Sequence, residues 1–169
     1  RETNEMLRSQ HGVRHIAMLT GDHAVTARAV ASTLALDEAH HGLMPDEKHA
    51  RILAMQSAGA VLMVGDGVND APALAAASVG IAMGARGASA SSEAADVVIL
   101  IDRLDRVSDA VSIAKRTHGI ALQSVVAGMA MSGVAMAFAA IGWLPPIAGA
   151  LTQEAIDVAV ILNALRALT

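Results

Sequence analysis

Asp66 and Asp70 lie four residues apart in the run Met63-Val-Gly-Asp-Gly-Val-Asn-Asp-Ala-Pro-Ala-Leu74. The apolar stretch 60–64 reads as a buried strand, and Gly65-Asp66-Gly67 turns the chain at its carboxyl end. Ligands of open α/β sheets bind at that edge. Asn69 and Asp70 follow, and Pro72 suits the first turn of a helix. A turn running into a helix aims both carboxylates at one point. Two carboxylates beside a phosphate suit Mg²⁺, a hard cation that takes oxygen ligands and keeps several waters. A bare Gly-Asp-Gly is more often a plain solvated turn, because turns are rich in both residues. The full twelve-residue run argues for chemistry.

Two more segments carry polar residues at strand or helix ends. Thr20-Gly21-Asp22 follows a strand-like stretch, 13–19, and Pro45-Asp-Glu-Lys48 precedes a helical pattern at 50–56. Taken singly, Thr20 is as readily a helix cap, and Lys48 a solvated helix residue. In this order, however, the three segments resemble the phosphorylation domain of P-type ATPases, which is haloacid-dehalogenase-like, and the twelve-residue run resembles that family's hinge motif. Asn163-Ala-Leu-Arg166 resembles the heavy-metal (type IB) group.

The resemblance implies roles. Asp66 is the expected Mg²⁺ ligand, with Asp70 a ligand or close partner, and Asn69 positions phosphate or metal-bound water. The Thr20 hydroxyl and Gly21 amide, within the motif that Asp22 completes, bind phosphate oxygens, aided by the following helix N-terminus. Lys48 sets a positive charge against the phosphoryl group. The family takes this phosphoryl from ATP onto an Asp within Asp-Lys-Thr-Gly-Thr, and no such run exists here. The nucleotide-binding domain and the earlier transmembrane helices are also missing. The start, Arg1-Glu-Thr-Asn, is neither a signal peptide nor an initiator context. The expectation is therefore a carboxyl-terminal fragment that supplies one side of an active site and is inactive alone.

The elements that position these residues read as alternating strands and helices. Strands are expected at 13–19, 60–64, 79–83 and 97–101, and helices at 24–36, 46–58 and 70–77, with a helical turn at 89–95. Residues 37–44, with His40 and His41, read as a loop. This alternation predicts an α/β fold, a haloacid-dehalogenase-like parallel sheet with flanking helices. The short, continuously apolar strands suit burial on both faces.

Charge divides the chain. From Thr117 to Gln153 there is no Asp, Glu, Lys or Arg. Residues 1–102 read as a partial phosphorylation domain, 103–118 as a linking amphipathic helix and 119–169 as a transmembrane α-hairpin. A bilayer needs roughly 20 apolar helical residues. Stretches 120–144 and 147–165 meet that need, and Pro145-Pro146 separates them. Lys115, Arg116 and Arg166 flank the outer ends, so the positive-inside rule puts the soluble part in the cytoplasm. A multi-pass protein of a bacterial plasma membrane is expected, in contact with lipid.

Glu154 and Asp157 lie within the second apolar stretch, three apart and on one helical face, beside Gln153. A carboxylate at a bilayer centre costs at least ~2.5 kcal/mol on insertion scales, so such residues are candidates for an ion path. The alternative is structural pairing with another helix. Oxygen ligands favour a divalent transition metal as cargo over Cu(I), and Met129 and Met136, seven apart, offer a weaker thioether alternative.

Other classes fit poorly. A net charge of −4, no basic runs and two aromatic residues argue against nucleic acid. The absence of Cys excludes a disulfide framework and a thiolate site. His40-His41 lacks a second pair at ligand spacing. Two rivals to a metal pump remain: a membrane-anchored phosphatase of the same superfamily, and a truncated, non-catalytic partner subunit.

Overall fold

The computed structural model describes residues 1–65, 68–84 and 93–168. It forms two compact units, Arg1–Ala110 and Val111–Thr169.

The first unit alternates helices and short strands: α1 (Glu2–His11), β1 (Ala17–Leu19), α2 (Ala24–Leu34), β2 (Glu38–His40), α3 (Pro45–Gln56), β3 (Leu62–Gly65), a 3-10 turn (Val68–Asp70), α4 (Ala71–Ala76), β4 (Val79–Met83) and β5 (Val97–Ile99). Among the described residues the strands form two parallel sheets, β1-β2 and β3-β4-β5. Among the described residues β1, β2, β3 and β5 are therefore edge strands. For β1–β2 and β3–β4 the parallel pairing follows from the crossovers through α2 and α4, since a short hairpin cannot join parallel strands.

Burial explains which residues form the three-stranded sheet. Ile81 and Ala82, neighbours in β4, point to opposite faces. Ala82 joins Ile52, Met63, Ala73 and Leu74 in one cluster, beneath α3 and α4, with Leu19 packed against it. Ile81 joins Ile99 and Val107, with Leu7 of α1 packed against them. Gly80 permits this closeness, because a Cβ there would lie 2.6 Å from the Leu74 carbonyl oxygen. One buried polar group, Asn4, donates through Nδ2 to the Leu34 carbonyl at the end of α2.

Several boundaries differ from the sequence expectation. β1 is three residues long rather than seven, and residues 38–40 form a strand where a loop was expected. The polar makeup of Glu38-Ala-His40 hides that strand, which is held by backbone pairing and not by apolar burial. The expected helical turn at 89–95 lies largely outside the described residues.

The second unit is a helical hairpin. α5 (Arg106–Ala140) is continuous, so the linking helix and the first apolar stretch are one element. α5 is about 52 Å long at 1.5 Å per residue. Trp143 lies in the turn with its ring centroid 5.7 Å from that of Phe138. Pro146 occupies the first turn of α6 (Pro146–Ala164), where a missing N–H costs nothing. A final 3-10 turn covers Leu165–Leu168. Both helices are long and apolar enough to cross a membrane.

Candidate functional site

Lys48 and Asp70 form the charged centre of the first unit. The Lys48 Nζ donates to Asp70 Oδ1 at 2.7 Å, with side chains only 15% and 13% exposed. The pair spans two elements. Lys48 sits in the first turn of α3, fixed by Pro45 at the helix start and by the Met44 N–H donating to Glu47 Oε2 at 2.8 Å. Asp70 closes the 3-10 turn after β3 and opens α4. Gly65, at the carboxyl end of β3, lets that carboxylate lie close, since a Cβ there would be 3.0 Å from Asp70 Oδ2. One Lys48 hydrogen is used by Asp70, and two more donors remain for an anion.

The Thr20-Gly21-Asp22 loop follows β1 and is stitched to the segment that leads into α3. Thr20 N–H donates to the His40 carbonyl at 2.9 Å, Leu43 N–H to the Thr20 carbonyl at 3.0 Å, and Gly42 N–H to the Asp22 carbonyl at 2.9 Å. Gly42 has φ 65°, a conformation that suits glycine. The Thr20 hydroxyl accepts the Asp22 N–H at 3.1 Å, which makes a tight turn and leaves its own hydrogen to donate. Thr20 is therefore not the cap of α2. That position belongs to His23, whose side chain makes no capping bond.

Asn69 is exposed beside Asp70. Asp66 and Gly67 lie outside the described residues. The donor chemistry that is present suits Mg²⁺, because the Asp70 carboxylate and Asn69 amide offer hard oxygens at a strand's carboxyl end.

In the hairpin, Gln153 is the centre of a polar chain. Ser132 Oγ donates to Gln153 Oε1 at 3.1 Å, and Gln153 Nε2 donates to Asp157 Oδ1 at 3.0 Å. Gln153 and Asp157 are thus joined, whereas Glu154 is exposed and stands outside this chain. A second bond links the helices: Asn163 Nδ2 donates to the buried Ser124 Oγ at 2.8 Å. Between these, Gly128 lies so close to α6 that a Cβ would be 2.9 Å from Val160 Cγ2. Sequence reasoning missed Ser124 and Ser132. The spacing Ser124-Gly128-Ser132, one small residue per turn, is the signal that could have found them. A cavity of about 510 Å³ in this unit is apolar, lined by Met131, Phe138 and Leu144 among others, and suits no charged ligand.

Residues 1–78 match the family of haloacid dehalogenase-like hydrolases. The chain is 41% identical over 157 residues to the manganese-exporting P-type ATPase of Mycobacterium tuberculosis, covering 92% of this chain and 22% of that protein. It is equally similar, at 41% over 157 residues, to the zinc-exporting P-type ATPase of Mycobacterium marinum, covering 92% and 21% respectively. The crystal structure of a zinc-transporting PIB-type ATPase in the E2P state superimposes with a TM-score of 0.86 at 31% identity, covering 98% of this chain and 27% of that one. The chain thus spans about a fifth of the length of the curated relatives it matches. A Lys48–Asp70 ion pair on a parallel α/β unit, continued into an apolar hairpin, agrees with these matches, and the chain belongs to the heavy-metal P-type ATPases.

Proposed function

We propose that this chain forms part of an ATP-driven pump that exports a divalent transition metal through an aspartyl-phosphate intermediate. The observation that carries the reading is the Lys48–Asp70 pair at the carboxyl end of β3, in a chain that continues into a hairpin with acids inside its apolar span. The relatives named for manganese and zinc export support a hard or borderline divalent cargo.

Phosphoryl transfer is mainly positioning and charge neutralisation. The phosphorylated Asp and the nucleotide site belong to segments upstream of this chain. Here the Thr20 hydroxyl and Gly21 amide bind phosphate oxygens, Asp22 completes their turn, and Lys48 neutralises the incoming charge. Asp66 and Asp70 would hold Mg²⁺, with Asn69 orienting its water. When bound, the ion offsets charge on the transferred group. The open edges of β1 and β3 support an upstream strand that joins the two sheets. In the membrane, Gln153, Glu154 and Asp157 form part of the cargo path, and residues 103–118 link the two parts. The soluble unit faces the cytoplasm of a bacterial cell.

The test is metal-stimulated ATPase activity of the full-length protein, titrated with Mn²⁺ and Zn²⁺. Asp66→Asn abolishes turnover while folding is kept. Glu154→Gln and Asp157→Asn lose metal stimulation yet still form the phosphoenzyme from inorganic phosphate. Normal turnover in Asp66→Asn sinks the phosphoryl-transfer assignment. Unchanged metal activation in both membrane variants makes those acids structural.

A further inference from the structure

Asn163 lies in the last turn of α6 and has no part in the roles given above. Its amide is held on both sides. Arg166 Nη1 donates to Asn163 Oδ1 at 3.1 Å, and Asn163 Nδ2 donates to Ser124 Oγ of α5 at 2.8 Å. A guanidinium has donors and no acceptor. The oxygen of the amide therefore faces Arg166, and its NH2 group faces Ser124. Ser124 is only 4% exposed, so the bond between the helices is sheltered. The same end of α6 has a second tie to α5, because Arg116 Nη2 donates to the Arg166 carbonyl at 3.4 Å.

These contacts belong to one seam. On α5 it runs through Ser124, Gly128 and Ser132, four residues apart and hence on one side of the helix. On α6 it runs through Gln153, Ile156, Val160 and Asn163, spaced three or four apart. Ser132 donates to Gln153 at one end, Ser124 accepts from Asn163 at the other, and Gly128 meets Val160 between them. Ile156 is buried along the same line. The two polar contacts are about 12 Å apart along α5, at 1.5 Å per residue. Between apolar helices in lipid the hydrophobic drive is weak, so close packing and hydrogen bonds set the register. Gly128 permits close approach but offers no polar group. A slip of one residue would turn α6 by about 100°, which takes Gln153 away from Ser132 and turns Asp157 with it.

We propose that Asn163 is a positioning residue for the transported cation: clamped between Arg166 and Ser124, it fixes the register at which α6 presents Gln153 and Asp157. The inference rests on the cargo-path reading of those two residues. Asn163 does not ligate the cation itself, because the Arg166 guanidinium sits on the oxygen that a cation would need. It acts through Ser124, and the Ser132–Gln153–Asp157 chain is what it keeps aligned.

Metal-stimulated ATPase activity of the full-length protein tests this, with Zn²⁺ and Mn²⁺ titrated against wild type, Asn163→Leu, Ser124→Ala, the double variant and Asp157→Asn. Phosphoenzyme formed from radiolabelled inorganic phosphate is measured alongside. In Asn163→Leu and Ser124→Ala the half-activating metal concentration rises on the order of tenfold, the usual cost of losing a contact that supports a ligand. The maximal rate and phosphorylation from inorganic phosphate stay near wild type in both. The double variant is no worse than either single one, because each change removes the same bond. Unchanged half-activating concentrations in both single variants, with Asp157→Asn defective, overturn the role of Asn163 alone. Additive losses in the double variant overturn it too, as does loss of phosphorylation from inorganic phosphate in both single variants, which marks the bond as one the whole fold needs. Unchanged metal activation in Asp157→Asn overturns the cargo-path reading and this inference with it.

Discussion

Lys48 and Asp70 are mostly withdrawn from water, so each depends on the other. Removing one end of a buried pair strands a charge, which costs about 3 kcal/mol. Asp70→Leu should therefore lower the stability of the full-length protein by about that amount, whereas its combination with Lys48→Met should cost less than either single change. A double-mutant cycle in thermal melts checks this, and additive losses would contradict it. Asp37 gives a pH-dependent counterpart. The Ile16 N–H at 2.7 Å and then the Arg8 guanidinium hold its carboxyl below the usual range. Because folding lowers this value, the contribution is complete above the unfolded value of roughly 3.9 and is lost as pH falls through the lower folded one. Asp37→Asn should weaken amide protection across β1 and β2 at neutral pH, with the difference from wild type vanishing in acid. A difference that persists unchanged in acid would show that the ionised carboxylate is not its source. At this scale motif order singles out Thr20, Lys48, Asn69 and Asp70 as candidates. It does not reveal the Lys48–Asp70 bond, whose ends are 22 residues apart on separate elements.

The elements carrying the site are held by close approaches that side-chain volume would break. A Cβ on Gly80 would strike the Leu74 backbone, which has no rotamer with which to give way. Gly80→Ala should cost about 1–3 kcal/mol, the usual range for overpacking, and should loosen α4, which follows Asp70 directly. Hydrogen exchange of α4 measures this, and unchanged protection would rule out the tight contact. Legibility differs between elements for physical reasons. Apolar strands such as β4 follow from composition, because they are buried on both faces. β2 does not, since its residues are half polar and its stability comes from backbone pairing with β1. α5 reads as two stretches in sequence because its charge stops near Thr117. Backbone hydrogen bonding is indifferent to that change, and the helix runs through.

Across the whole chain, the split in charge marks where the apolar hairpin begins. If that hairpin spans a bilayer, tags inserted at residues 103–106 and after Thr169 should both report the cytoplasmic side, and one at 145–146 the opposite side. Labelling of the carboxyl end from outside would contradict two crossings. The α/β class and the hairpin were legible because both rest on hydrophobic patterning. The division of the strands into two sheets was not, since pairing partners are set by the fold in space. That division carries a practical consequence. Among the described residues β1 and β3 each have one edge with no partner strand, and such edges recruit other chains. Produced alone, this stretch should self-associate through them, and a strand supplied in trans to cover either edge should suppress the aggregation.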